Sequence, residues 1–91
     1  MGETDVVHVH YWAGAKHAAG TGSDRLEVDG ALTLADVVRR AVALHPGTDL
    51  ERVLAVCSTL IGEQPVSSQD PGSVRVEPGA TVEFLPPFAG G

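Results

Sequence analysis

What this 91-residue sequence lacks narrows its chemistry first. It holds a single cysteine, Cys57, so no internal disulfide can form and no multi-thiolate metal site can be built. An iron–sulfur cluster, which takes about four thiolates, is excluded on the same count. One cysteine fits a reducing, cytoplasmic compartment. Basic residues are few: six Lys and Arg stand against twelve Asp and Glu, a net charge of −6. Nucleic-acid phosphates would repel that charge, whereas a basic protein partner would be drawn to it. No basic leader runs into an apolar segment and no long apolar stretch occurs, so nothing marks secretion or membrane insertion. Repeats and low-complexity tracts are missing. So are a phosphate-cradling glycine loop and a serine–histidine–acid spacing, and no self-sufficient active site is legible.

What is present is a globular composition, 43% hydrophobic and 20% charged. Residues 1–91 are expected to form one domain that buries about two-thirds of its unfolded surface, with 86–91 projecting from it. After a polar leader, the β-branched and aromatic run Val6 to Trp12 predicts a strand. Val7, Val9 and Tyr11 lie on one face of it, and His8, His10 and Trp12 on the other. Ala13 to Ala19 predicts a turn or two of helix ended by Gly20. Arg25 to Val28 predicts a second strand, with Leu26 and Val28 on one face. Thr33 to His45 is the clearest helix: Thr33 caps it and Asp36 sits near the positive end of its dipole. Leu34, Val37, Val38, Ala41 and Val42 recur at the spacing of a buried stripe, and Pro46-Gly47 stops the run. Leu50 to Leu54 predicts a short helical turn, Val56 to Ile61 a strand, 67–73 a loop and Thr81 to Leu85 the last strand. The order strand, strand, helix, strand, strand excludes a doubly wound parallel sheet and predicts a small sheet with a helix across one face.

Parity separates the faces of the last strand. Val82 and Phe84 point one way; Thr81, Glu83 and Leu85 point the other, which leaves Leu85 apolar on a polar face. In the Val56 strand, Ser58 and Leu60 share one face and Cys57 and Ile61 the other, and parity alone leaves open which is core. Exposed apolar residues such as Leu60 and Leu85 suggest a docking surface, although single exposed leucines are also ordinary. His8 and His10 supply two nitrogen ligands on a flat surface, too few for a metal centre, and no metal is expected. Cys57 reads as a small hydrophobe within a strand. His45 reads as a helix-terminal imidazole favoured by the dipole, and Arg39 and Arg40 as a solvated face.

The chain ends Leu85-Pro86-Pro87-Phe88-Ala89-Gly90-Gly91. Two prolines fix φ and remove donors, so they stop the strand and stiffen the exit. The final glycines lack β-carbons and can lie flat in a narrow groove that exposes the terminal carbonyl.

The stretch from Phe84 to Gly91 closely resembles the C-terminus of molybdopterin synthase small subunits, within the MoaD/ThiS sulfur-carrier family. Tyr11-Trp12-Ala13, the Leu32-Thr33-Leu34-Ala35-Asp36 helix opening and Pro78-Gly79 before the last strand fit as well, so the resemblance covers residues 6–91. It implies an α+β, ubiquitin-like β-grasp fold: a mixed sheet of four to five strands with one main helix packed across it. It further implies that Gly91, with Gly90 beside it, is adenylated and thiocarboxylated. The implied partners are a ubiquitin-activating-like adenylyltransferase that uses ATP, a sulfurtransferase, and a large synthase subunit contacted by Leu60, Leu85, Pro86, Pro87, Phe88 and Ala89. No cofactor is expected to stay bound. Two departures, Cys57-Ser58 in place of an asparagine-glycine turn and a longer 67–75 loop, leave the branch open. The alternatives are a carrier for thiazole or cysteine synthesis and a ubiquitin-like modifier joined through Gly91 to target lysines. The chain's own single lysine, Lys16, disfavours chains of itself.

Overall fold

The computed structural model describes residues 5–66 and 69–87. In chain order it contains β1 (Val6–Tyr11), α1 (Ala13–Ala19), β2 (Ser23–Glu27), β3 (Leu32–Thr33), α2 (Leu34–Ala43), α3 (Leu50–Val56), β4 (Ser58–Ile61), β5 (Gln64–Pro65), β6 (Arg75–Val76) and β7 (Thr81–Leu85). A 3-10 turn occupies Pro71–Ser73. Five strands form one mixed sheet in the order β2-β1-β7-β4-β5, and β3 and β6 form a separate two-stranded ribbon. β1 runs antiparallel to β2 and parallel to β7, and β4 runs antiparallel to both β7 and β5.

The alternation read from the sequence sorts the two faces of this sheet. Val7, Val9 and Tyr11 of β1, Leu26 of β2 and Val82 and Phe84 of β7 are all buried in one core with Leu34, Val37 and Ala41 of α2 and Leu50 and Leu54 of α3. Ala15 and Ala19 of α1 join it, so all three helices lie on the same side. The opposite face carries His8, His10, Thr81, Glu83, Leu60 and Leu85, each half-buried, and no helix among the described residues covers it. The register also settles the face of β4: Thr59 pairs with Phe84 and Ile61 with Val82, inward, while Ser58 pairs with Leu85 and Leu60 with Glu83, outward.

α2 begins as its sequence dictates. The Thr33 hydroxyl accepts from the Asp36 N–H at 3.1 Å, and the Asp36 carboxylate accepts from the Thr33 N–H at 3.2 Å. This reciprocal box satisfies two donors that the first turn would otherwise leave unpaired. The hydrogen bonds from the Thr33 backbone and hydroxyl side hold the Asp36 carboxyl below the usual carboxylate range, and the Arg39 guanidinium adds to the effect. Arg40 is more than a solvated residue, since its guanidinium donates to the Glu27 carbonyl at 2.7 Å and ties the helix to β2. Gly20 closes α1 at φ 77°, a left-handed conformation that costs a glycine nothing.

One boundary moves. The strand expected from Val56 to Ile61 starts only at Ser58, because α3 runs through Val56 and Cys57 serves as its C-cap, donating its N–H to the Leu54 carbonyl. Leu50, Val53 and Leu54 recur at helical spacing and pack into the core, and that burial outweighs the strand preference of Val56, which is left 62% exposed. The second strand likewise shifts to Ser23–Glu27. The ribbon of β3 and β6 has two residues per strand, too few for alternation to register in sequence.

Candidate functional site

β7 is the central strand of the sheet, hydrogen-bonded to β1 on one side and β4 on the other. Its last paired residue, Leu85, lies across from Ser58. The exposed Pro86 and Pro87 follow at once; without N–H groups they can extend neither ladder. The tail therefore leaves the middle of a sheet rather than a fraying edge. Phe88, Ala89, Gly90 and Gly91 lie outside the described residues.

Around this exit the structure gathers residues distant in sequence. Leu60 and Leu85 both lie on the helix-free face, as the pairing of β4 with β7 requires, with Glu83 between β1 and β4 on the same face. Trp12 joins them, a residue to which the sequence reading gave no role in a site. It follows β1, donates its backbone N–H to the Phe84 carbonyl at 3.0 Å, and donates its indole Nε1–H to Glu83 Oε1 at 3.1 Å. The chain then turns sharply at Ala13, whose φ of 49° is the one positive value among the described non-glycine residues. A β-carbon there costs about 1 kcal/mol. Trp12 remains 48% exposed. The missed signal was available: Trp12 shares parity with His8 and His10, so a large indole stood on an otherwise polar face.

His8 and His10 sit on this face opposite Arg25 and Ser23 of β2 and opposite Thr81 and Glu83 of β7. Among the described residues no group of three or more His, Cys, Asp or Glu side chains is placed to hold a metal ion. Cys57 is half-buried on the other side of the sheet, and burial pushes its thiol up, which suppresses the reactive thiolate.

On the helical side, a polar cluster links three elements. Asp24 Oδ2 accepts from the Tyr11 hydroxyl at 2.9 Å and lies 2.6 Å from His45 Nε2. Tyr11 meets His45 edge-on, with ring centroids 6.0 Å apart, and stacks on Phe84 at 6.3 Å. His45 thus does more than sit at a helix end: it clasps the end of α2 to the sheet beneath the tail root. Burial, followed by the Asp24 hydrogen bond and charge, raises the Tyr11 phenol well above its ordinary value. Below pH ~10 the phenol is protonated both folded and unfolded. Above that pH the unfolded phenol ionises while the folded one keeps its proton, so stability falls as the solution becomes more alkaline. In urea titrations spanning pH ~9 to ~11, the wild type is expected to lose more stability than Tyr11→Phe. Since Tyr11 is the chain's one tyrosine, tyrosinate absorbance should rise only as the protein unfolds.

A five-stranded mixed sheet with its helices on one face and its C-terminal strand at the centre defines a ubiquitin-like β-grasp domain. The sequence profile of the ThiS family matches residues 9–91. The chain belongs to the ThiS family, the MoaD/ThiS group that its C-terminal residues resemble. It is 28% identical over 91 residues to the molybdopterin synthase sulfur carrier subunit of Aspergillus niger, with each chain covered completely. Its fold is similar to that of small archaeal modifier protein 1 of Haloferax volcanii, with a TM-score of 0.73 and 21% identity over 91% of this chain and 98% of that one. It is also similar to a chain in the complex of subunits 1 and 2 of the molybdopterin-converting factor of Helicobacter pylori, with a TM-score of 0.61 and 20% identity over 94% and 99% of the two chains. Among the described residues no helix is long and apolar enough to cross a membrane.

Proposed function

We propose that this chain is the sulfur carrier subunit of a molybdopterin synthase. The observation that carries the reading is the tail's origin: a Pro-Pro-Phe-Ala-Gly-Gly sequence leaves the central strand beside an uncovered face bearing Leu60, Leu85 and Trp12. A carboxylate is a poor electrophile. A ubiquitin-activating-like adenylyltransferase supplies the leaving group by joining the Gly91 carboxylate to AMP from ATP, with release of pyrophosphate. A sulfurtransferase then delivers sulfur to the same carbonyl, AMP departs, and Gly91 carries a thiocarboxylate. The large subunit takes up the tail, and the compact sulfur nucleophile serves dithiolene formation. Gly90, lacking a side chain, leaves the path to the carbonyl narrow. The chain itself holds no cofactor in this scheme and works in the cytoplasm, away from nucleic acid and membrane.

The 28% identical Aspergillus niger relative and the Helicobacter pylori complex of two subunits support this choice of pathway and partner. The likeness to an archaeal modifier supports a second reading, attachment of Gly91 to lysines of other proteins. Intact mass decides between them. Protein isolated from its host should show replacement of one oxygen by sulfur at the C-terminus; lysine-linked conjugates and an unmodified free pool would favour the modifier. A carrier for thiazole or cysteine synthesis would also show the sulfur, but would not form a complex with a molybdopterin synthase large subunit.

That complex is the basis of a further prediction. Apolar anchors at the centre of an interface cost about 2 kcal/mol or more when truncated, which is a loss of tens of fold in affinity. Leu85→Ala and Trp12→Ala are each expected to weaken binding to the large subunit by that amount, and Leu60→Ala and Phe88→Ala to add to the set. Melting temperatures should barely change, because Leu60, Leu85 and Trp12 lie outside the core. Calorimetric titrations in which the variants bind like the wild type but melt several degrees lower would relocate the docking surface.

A further inference from the structure

A recess opens on the helical side of the sheet, away from the face assigned to the tail's partner. Its volume is ≈ 340 Å³. Leu34 and Val38 of α2, Leu54 and Cys57 at the end of α3, and Val66 form its walls, and Phe84 lies at its floor. Glu51, exposed on α3, is the one charged side chain among the described residues that line it.

We propose that this recess binds a small amine: an aromatic or branched aliphatic group seated among these apolar walls, with one cationic nitrogen paired to Glu51. Size and chemistry point the same way. Small-molecule sites occupy about 300–1,000 Å³ and combine apolar walls with a few placed polar groups, so this recess accommodates a single small ring or branched chain. Its apolar walls favour removal of such a group from water. The Cys57 thiol, kept neutral by burial, adds no charge of its own. A carboxylate or phosphate ligand would find no cation among the described residues of the lining and would meet Glu51 within a chain of net charge −6, whereas a cation is attracted by both. Because the recess and the tail's docking face lie on opposite sides of the sheet, occupancy is independent of the sulfur-carrier reading.

Cys57 supplies the readout. Its alkylation by iodoacetamide is followed by intact mass at neutral pH in the presence of 2-phenylethylammonium, the neutral 2-phenylethanol, or 3-phenylpropanoate. At ten times its dissociation constant the ammonium should slow alkylation about tenfold by mass action; the alcohol should protect less, and the carboxylate not at all. Glu51→Gln should erase the preference for the ammonium over the alcohol. Ala55→Trp, at an exposed helical position lining the recess, should fill it and abolish protection while the circular dichroism spectrum stays that of the wild type. The proposal is overturned if none of the three probes protects Cys57, if all three protect equally, or if Ala55→Trp is protected as well as the wild type. It is also overturned if sedimentation shows a concentration-dependent dimer that itself shields Cys57, since the occupant would then be a second copy of the chain.

Discussion

Adding one residue after Gly91, or deleting Gly91, is expected to abolish activation of the chain while leaving its fold untouched. On the proposed sulfur-carrier reading, an activating enzyme would have to bring the terminal carboxylate within bonding distance of the α-phosphate of ATP, a geometry that tolerates little displacement. A misplacement of about 1 Å can cost on the order of a hundredfold in rate, and one residue shifts the carboxylate by about 3.5 Å. ATP–pyrophosphate exchange with the cognate adenylyltransferase should therefore fall to background for both variants, with the thermal melt superimposable on the wild type. Normal exchange by the extended chain would show that the carbonyl used is not that of Gly91. The fold is insulated from this change because the ladders of β7 end at Phe84 on the β1 side and at Leu85 on the β4 side, before the two prolines.

Val37→Asp is expected to unfold the protein. Val37 is fully buried on α2 within the hydrophobic core that the helices form against the sheet, where a carboxylate would be cut off from water. A buried unpaired charge destabilises by about 4 kcal/mol or more, against a total stability of about 5–15 kcal/mol for a domain of this kind. Far-ultraviolet circular dichroism at 25 °C should show loss of helix, or a urea midpoint displaced close to zero denaturant. Val38→Asp, one position on, is the informative control. Val38 is only half-buried and lies at the wall of the open recess, so a carboxylate there can reach water and the loss should be markedly smaller. Equal damage from both changes would mean that the recess is closed in solution.

The comparison between Val37 and Val38 shows how far a sequence pattern reaches. The stripe of Leu34, Val37, Val38, Ala41 and Val42 marked the helix and its inner side correctly, because a period of 3.6 projects those residues onto one arc. It could not rank them, since depth depends on what packs opposite. β-sheet parity performed similarly. It separated Val7, Val9, Tyr11, Val82 and Phe84 from His8, His10, Glu83 and Leu85 without error, and it left Ser58 and Leu60 undecided until the pairing of β4 with β7 resolved the direction. Val56 misled for a definite reason: its branched side chain favours strand, but the preceding Leu50 and Leu54 commit α3 to the core and the helix runs two residues longer.

The sequence by itself determined the local elements with strong periodicity, the cap at Thr33 and Asp36, the stiff proline exit and the acidic, thiol-poor character of the chain, because each follows from residues within a turn or a few positions of one another. Only the tertiary structure decided what distant segments do together. The parallel pairing of β1 with β7 places Trp12 and Glu83, 71 residues apart, in one hydrogen bond at the tail's root. The fold likewise brings Asp24 between Tyr11 and His45, and opens a recess where α2, α3, β4 and the segment after β5 fail to close completely. Those contacts depend on the register of strands and the angle at which helices settle on a sheet, which are set by the packing of the whole core and carry no signature in any single stretch of the chain.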